Sequence, residues 1–398
     1  MKSPKVIEKQ TGIQALSHHN TVFSQLLKMV PRHEFETLAN RHHEGRKLRK
    51  MTRWSQFVAM ALAQLSGRAS LRDVVSNLSA QGAKLYHLGS AVVSRSSLAR
   101  TNEKQPYSLY EQLAGKLLAQ CQGRAPRHGF RFKNKLYSLD ASTIDLCLNV
   151  FPWAKFRTTK GALKLHVGLD HDGFLPTFLT ITDGKTHDIT AARALQLPKG
   201  SIVVMDRGYT DYAWYNHLNS KGIFFVTRLR KNARYRVTER RSMIKSKGLT
   251  SDQTIEFNGT KAGDCPIPLR RIGFKDAETG IQYYFLTNNF RLAASTIAEI
   301  YKARWQIELF FKWIKQNLKI KNFLGTSRNA VMTQIWIAIC IYLLLAYLKF
   351  ASQIGKSFQQ ILRLLHLNLF DRRDLRGLLI GDPPEPPVPQ LQTRLQFS

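Results

Sequence analysis

Three carboxylates, far apart along the chain, stand where acids can do chemistry. Asp140 closes the run Leu136–Asp140 (LYSLD). Asp206 follows Ser201–Met205 (SIVVM), a continuous apolar run of the kind buried on both faces of a sheet. The third, Glu308, lies in Tyr301–Lys315, YKARWQIELFFKWIK. Ligands of open α/β sheets gather at the carboxyl ends of strands, so two strands ending in acids and a helix bearing a third point to one shared site. Three carboxylates meeting in a very basic protein call for cations. The natural one is Mg²⁺, a hard ion shared between carboxylate and phosphate oxygens. Two such ions about 3.5–4 Å apart clamp the attacking and leaving oxygens of a phosphodiester.

Each acid has a plainer reading. An Asp at a strand end is commonly a turn or capping residue. Glu308, with Arg304 four residues before it and Lys312 four after, fits a surface ion-pair helix. The charge of the whole chain shifts the balance. Sixty Lys and Arg against 27 Asp and Glu leave +33 over 398 residues, with a pI near 10.3. That excess asks for a polyanionic partner, most simply DNA or RNA. A hydrophobic content of 43% excludes a disordered basic tail. Cys121, Cys147, Cys265 and Cys340 are scattered singly, which argues against a zinc site or a disulfide scaffold and fits a reducing cytosol. The N-terminus, MKSPKVIEKQTG, lacks the apolar run of a signal peptide. Val331–Leu348 carries no charge over eighteen residues and imitates a membrane span, yet it includes Thr333 and Gln334 and has no companion; it is expected as a buried core helix, with no membrane role.

The elements that position the acids follow from patterning. At 100° per residue, Tyr301, Arg304, Glu308 and Lys315 share one stripe of a helix, beside an apolar stripe of Ile300, Ile307, Phe311, Ile314 and Leu318. Thr296 and Glu299 have capping-box spacing at its expected start. Residues 1–125 read as helical. A basic entry (Arg46, Lys47, Arg49, Lys50, Arg53) leads into an apolar-periodic run from Trp54 to Leu65, then SGRAS, then a second helix from Leu71 to Leu78. A third start lies at Val93–Asn102. This outline suits a DNA-binding unit as well as a plain helical pair. From about Arg131 strands take over: Leu163–Leu169 and Phe174–Thr182 as a pair, Ser201–Met205, and Ile223–Thr227, with short helices at Ile189–Leu195 and Asp211–Leu218. Arg228–Lys247 is densely basic, and β-like runs follow at Thr254–Phe257, Ile267–Phe274 and Ile281–Thr287. Gly381–Pro389 begins a Pro-rich tail. The sum is an α/β chain: a helical region at 1–125, a core in two parts at 126–227 and 293–352 around a basic β-rich insertion at 228–292, and a C-terminal segment at 353–398. Lys164 and His166, on a strand near the first acid, are candidates for phosphate contact or simple strand packing. Tyr283, Tyr284 and Trp305 are candidates for stacking on bases or for the core.

Tyr301, Arg304, Glu308 and Lys315 match the pattern Y-x2-R-x3-E-x6-K. With YSLDAST, FPWAKFRTTKGALKLH, VVMDRGYTDY and Leu286-Thr287-Asn288, the chain resembles the DDE transposases of bacterial insertion sequences, in their insertion-sequence-four branch, from the N-terminal helices to roughly residue 350. The resemblance implies an RNase H-like catalytic core interrupted by the β-rich insertion, with Asp140, Asp206 and Glu308 as catalytic residues holding two Mg²⁺ ions, or Mn²⁺ in their place. It implies that Arg304 and Lys315 touch the DNA backbone and that Tyr301 bonds a terminal phosphate. Some relatives hold a flipped base with an aromatic where Tyr283 falls, although the better-known ones carry Trp there. The expected partners are double-stranded DNA, as terminal inverted repeats and target, and a second copy in a synaptic dimer. The expected setting is the bacterial cytoplasm at the nucleoid. Two rivals remain: an RNase H-fold nuclease that cuts without strand transfer, and a domesticated DNA-binding protein that does not cut.

Overall fold

The computed structural model describes residues 20–155, 161–242, 248–318, 320 and 322–381. The N-terminal MKSPKVIEKQTG, the Pro-rich tail beyond Gly381, positions 156–160 of FPWAKFRTTKGALKLH and positions 243–247 of the basic stretch lie outside the described residues.

Between residues 20 and 125 the secondary structure is helical: α1 (Val22–Leu27), α2 (Arg32–Arg41), α3 (Arg53–Leu65), α4 (Leu71–Ala80), α5 (Gly82–Leu85), α6 (Arg95–Lys104) and α7 (Ser108–Gln122). Thr52, Ser70 and Ser94 start α3, α4 and α6 by accepting a backbone N–H three residues on. The basic entry to α3 divides. Arg46, Lys47, Arg49 and Lys50 are exposed, but Arg53 is buried, its Nη2 donating to the Pro106 carbonyl at 2.7 Å and its guanidinium 5.3 Å from the Tyr110 ring. Arg53 is therefore a packing residue and not a surface cation.

The strands are β1 (Leu136–Leu146), β2 (Gly161–Asp170), β3 (Leu175–Asp183), β4 (Ile202–Met205), β5 (Phe224–Arg228), β6 (Tyr235–Arg240), β7 (Leu249–Phe257), β8 (Leu269–Lys275) and β9 (Gln282–Thr287). Among the described residues all nine form one sheet, in the order β3-β2-β1-β4-β5-β9-β8-β7-β6. β1, β4 and β5 run parallel, and the remaining pairings are antiparallel. The strands after residue 228 thus continue the sheet through the β5–β9 pairing. Short helices α8 (Asp188–Arg193) and α9 (Tyr212–Ser220) precede β4 and β5. The chain then closes with α10 (Ala294–Ala303), α11 (Trp305–Asn317), α12 (Arg328–Ala351), α13 (Phe358–Asn368) and α14 (Leu375–Ile380).

Period-2 alternation in β4 sorts the two faces of the sheet. Val203 and Met205 pack with Trp214, Tyr215 and Leu218 of α9. Ile202 and Val204 pack with Ile297 and Ile300 of α10, as does Leu136 of β1. Beyond β1, Leu163, Leu165 and Leu169 of β2 join the core shared with α3, α7, α11 and α12. The membrane-like segment is the heart of that core. A helix apolar all round must be buried, and α12 lies among α3, α6, α7 and α13 with 94% of its apolar window inside the protein. Asn329 at its start ties it to the N-terminal helices, donating to the Asn102 and Gln105 carbonyls at 2.8 and 2.7 Å.

Candidate active site

The register of two parallel strands brings the first two acids together. Leu139 of β1 pairs with Met205 of β4, and the next residue in each strand is Asp140 and Asp206. Alternation sends both toward the face covered by α10 and α11. Asp206 does end its strand, its Oδ1 capping the following turn by accepting the Gly208 N–H. Asp140 does not. β1 continues six residues beyond it because β2 pairs with it along its length, Asp140 opposite Val167 and Leu146 opposite Gly161. β1 therefore does not end at Asp140 as its sequence suggests: there the strand loses β4 and keeps β2.

The third acid arrives on a helix that is broken. α10 ends at Ala303, Arg304 tightens the turn, and α11 starts at Trp305 with Glu308 in its first turn. Arg304 N donates to the Tyr301 carbonyl and Ile307 N to the Arg304 carbonyl, both i to i+3 bonds. The expected capping box at Thr296 and Glu299 is absent: α10 starts earlier, at Ala294, with no side-chain cap. Its entry is set by Asn289, whose Oδ1 accepts from Arg291 N and Leu292 N. The apolar stripe is as expected, with Ile300, Ile307, Phe311, Ile314 and Leu318 all buried.

Arg304 joins the acids. Its Nη1 lies 3.3 Å from Asp140 Oδ2 and its Nη2 2.5 Å from Glu308 Oε1, with the side chain only 13% exposed. Burial pushes the Asp140 carboxyl up to about 6; the Ala141 N–H and Arg304 oppose that rise, and Asp206 and Glu308 add to it. Tyr209, under the site, is buried with no hydrogen-bond partner for its hydroxyl. Burial raises its pKa far above the usual phenol range, and Asp140, Asp188 and Asp206 raise it further. Asp140 and Glu308 thus meet at Arg304, and Asp206 follows the β4 residue that pairs with the residue before Asp140. Tyr209 falls within VVMDRGYTDY, but nothing in the sequence pattern gives it a role of its own.

The other expected contacts fall in two places. Lys315 Nζ donates to the Thr143 carbonyl of β1 at 2.8 Å. Lys164 Nζ donates to the Thr186 carbonyl at 2.9 Å and pairs with Asp188 Oδ1 at 3.0 Å. His166 stands 3.7 Å from the same oxygen, but burial holds it down to about 4, so it is uncharged at neutral pH. Tyr301 and Tyr283 line a cleft of about 500 Å³ with Phe285, Arg228, Trp305 and Arg304. The Arg228 guanidinium lies 5.8 Å from the Tyr283 ring and 5.7 Å from Tyr301. Arg228 was not singled out in the sequence; it is one cation among many in a basic stretch.

The family profile described as a transposase DDE domain matches residues 131–344. A second, a domain of unknown function (DUF4372), matches residues 18–91. A Sinorhizobium fredii protein named as transposase y4zB is 33% identical over 296 residues, spanning 73% of this chain and 81% of its own length. The chain belongs to the DDE transposases of bacterial insertion sequences. A Geobacillus stearothermophilus protein named as transposase for insertion sequence element IS5377 is 28% identical, over 67% of this chain and 72% of its own. A solved structure of the piggyBac transposase synaptic complex with hairpin DNA aligns with a TM-score of 0.44 at 11% identity, covering 92% of this chain and 85% of that one.

A DDE transposase depends on divalent metal, and the donors here suit one. Asp140, Asp206 and Glu308 offer only hard carboxylate oxygens, and two of them already converge on one cationic group. Among the described residues no three such side chains surround a common point at ligating distance. The Arg304 guanidinium stands between Asp140 and Glu308, so a metal ion there requires it to turn away.

Proposed function

We propose that this DDE transposase acts by cut and paste on the terminal inverted repeats of its own element, with Asp140, Asp206 and Glu308 holding two Mg²⁺ ions, for which Mn²⁺ can stand in. The observation that carries this reading is the juxtaposition of Asp140 and Asp206 at adjacent register positions with Glu308, through a guanidinium shared by Asp140 and Glu308. Held by these carboxylates, the ions would supply Lewis-acid activation of the attacking and leaving oxygens. Arg304 leaves its carboxylates for a phosphate near the cut end, and Lys315 and Lys164 neutralise neighbouring phosphates. Tyr301 bonds a terminal phosphate, and Tyr283 stacks beside it on a base. A water oxygen attacks phosphorus, the bond to the 3′ oxygen breaks, and that oxygen takes up a proton. The resulting 3′-OH attacks a phosphorus of the target, displacing a target 3′ oxygen. No bond to the protein forms; positioning and charge neutralisation lower the barrier.

In this reading residues 126–227 and 293–352 form an RNase H-like core, 228–292 an insertion within it, 1–125 the region that grips the repeats, and 353–398 a closing segment. The Tyr301, Arg304, Glu308, Lys315 pattern supports the insertion-sequence-four branch as the chain's place within the family. Two copies pair two ends in a synaptic dimer in the bacterial cytoplasm, at the nucleoid. The test is to incubate the protein with DNA carrying the element's ends, plasmid and Mg²⁺. Cleavage followed by joining of the ends to plasmid supports the reading; cleavage without joining makes the protein a nuclease, and binding without cleavage a repressor.

A further inference from the structure

A transposase brings two DNAs to one set of acids, and the two clefts beside these acids differ in chemistry. The cleft at Tyr283 and Tyr301 is aromatic. The other is a groove that Asp206 itself lines. Its first part, about 460 Å³, is bounded by Asp206, Arg207, Gly208, Arg230, Lys231 and Asn232. Its second part, about 650 Å³, shares Arg230 and Asn232 and adds Arg193, Arg234 and Lys261, with Asp211 and Asp264. Arg193 is paired with Asp211 at 2.7 Å. Arg207, Arg230, Lys231, Arg234 and Lys261 are all exposed, and among the described residues none of the ion pairs joins any of them to an acid. The groove's one aromatic ring, Tyr212, is stacked face to face on Phe257 at 4.1 Å and 11°, so that face is closed to a base.

Cations facing solvent without acids of their own attract phosphates, and phosphate contacts position DNA without reading its sequence. An element's own ends must be recognised by sequence, whereas a DNA of arbitrary sequence can be gripped only by its backbone. We propose that the Arg207–Arg230–Arg234–Lys261 groove holds the phosphodiester backbone of the target strand and feeds it to the acids at Asp206. This rests on the transposase reading above.

The test uses the full chain with Arg230→Ala, Arg234→Ala and Lys261→Ala combined, and a charge-conserving control with Arg230→Lys, Arg234→Lys and Lys261→Arg. End binding, end cleavage, and joining of pre-cleaved ends to plasmid are measured between 50 and 200 mM salt. The alanine variant should bind and cleave ends as the unaltered protein does. Its joining should fall, and the salt slope of its target affinity should flatten by about 2.7, at about 0.9 for each of three lost phosphate contacts. The control should restore joining. Unchanged joining and slope, or cleavage and joining lost together, overturns the proposal. An unaltered protein that fails to cleave, or cleaves and never joins, overturns the transposase mechanism instead, whatever the groove does.

Discussion

Replacing Arg304 by Ala separates what this side chain does for the fold from what metal does in its place. The Arg304 side chain is 13% exposed and makes charge-assisted bonds to Asp140 Oδ2 and Glu308 Oε1, whose side chains are 24% and 32% exposed. Bonds of this kind contribute about 1.5–3 kcal/mol each, and partial exposure of both carboxylates reduces that. Arg304→Ala should therefore lower stability in chelator by about 2–4 kcal/mol, leaving two carboxylates facing each other. A divalent ion at a hundred times its dissociation constant stabilises its site by about 2.7 kcal/mol. In the variant it binds without displacing an arginine. Urea unfolding followed by circular dichroism, in chelator and in excess Mn²⁺ without DNA, should show the gap between variant and unaltered protein closing to about 1 kcal/mol or less when metal is present. A gap of the same size in both media refutes the reasoning, as does a variant of normal stability in chelator.

Other outcomes follow from the same geometry. Glu308→Gln should reduce end cleavage by about 10³-fold or more while end binding, read by gel shift, persists. His171 is buried with Nε2 2.7 Å from Ser138 Oγ, and burial holds it down to about 4. The unfolded chain takes up that proton first, so its contribution is complete above pH 6.5 and is lost as the pH falls toward 4, about 3 kcal/mol in all. His171→Asn should flatten the acid limb of the stability–pH profile. Arg270 and Asp252, each 6% exposed, are joined by two bonds of 2.9 and 2.6 Å; Asp252→Ala strands the guanidinium and should cost about 3–5 kcal/mol in urea unfolding.

Much of the site was legible because local signals were strong. The apolar run before Asp206 is short, continuous and abruptly ended, and it is β4. The uncharged run 331–348 was legible as core because a buried helix carries polar groups such as Gln334, which here donates to the Asn322 carbonyl. What escaped was set by partners distant in sequence. β1 runs past Asp140 because β2 pairs with it, and no local pattern announces a partner. The break at Arg304 is invisible to a 100° wheel, since residues on both sides keep one phase. Thr296 and Glu299 have the spacing of a capping box, but the Asn289 turn starts the helix three residues sooner, with Ala293 as its N-cap. Arg53 looked like a surface cation beside four that are, and only the packing of Tyr110 and Pro106 shows otherwise. The target groove draws on residues from 193 to 264, which no motif links.

In the proposed function Asp140, Asp206 and Glu308 jointly hold metal for phosphodiester chemistry. Anomalous diffraction from crystals of the protein with end DNA and Mn²⁺ tests it most directly. Anomalous peaks are expected between these three carboxylates, with Arg304 turned away onto a phosphate. Manganese bound elsewhere, with Arg304 still bridging Asp140 and Glu308 in a complex that cleaves its DNA, contradicts it.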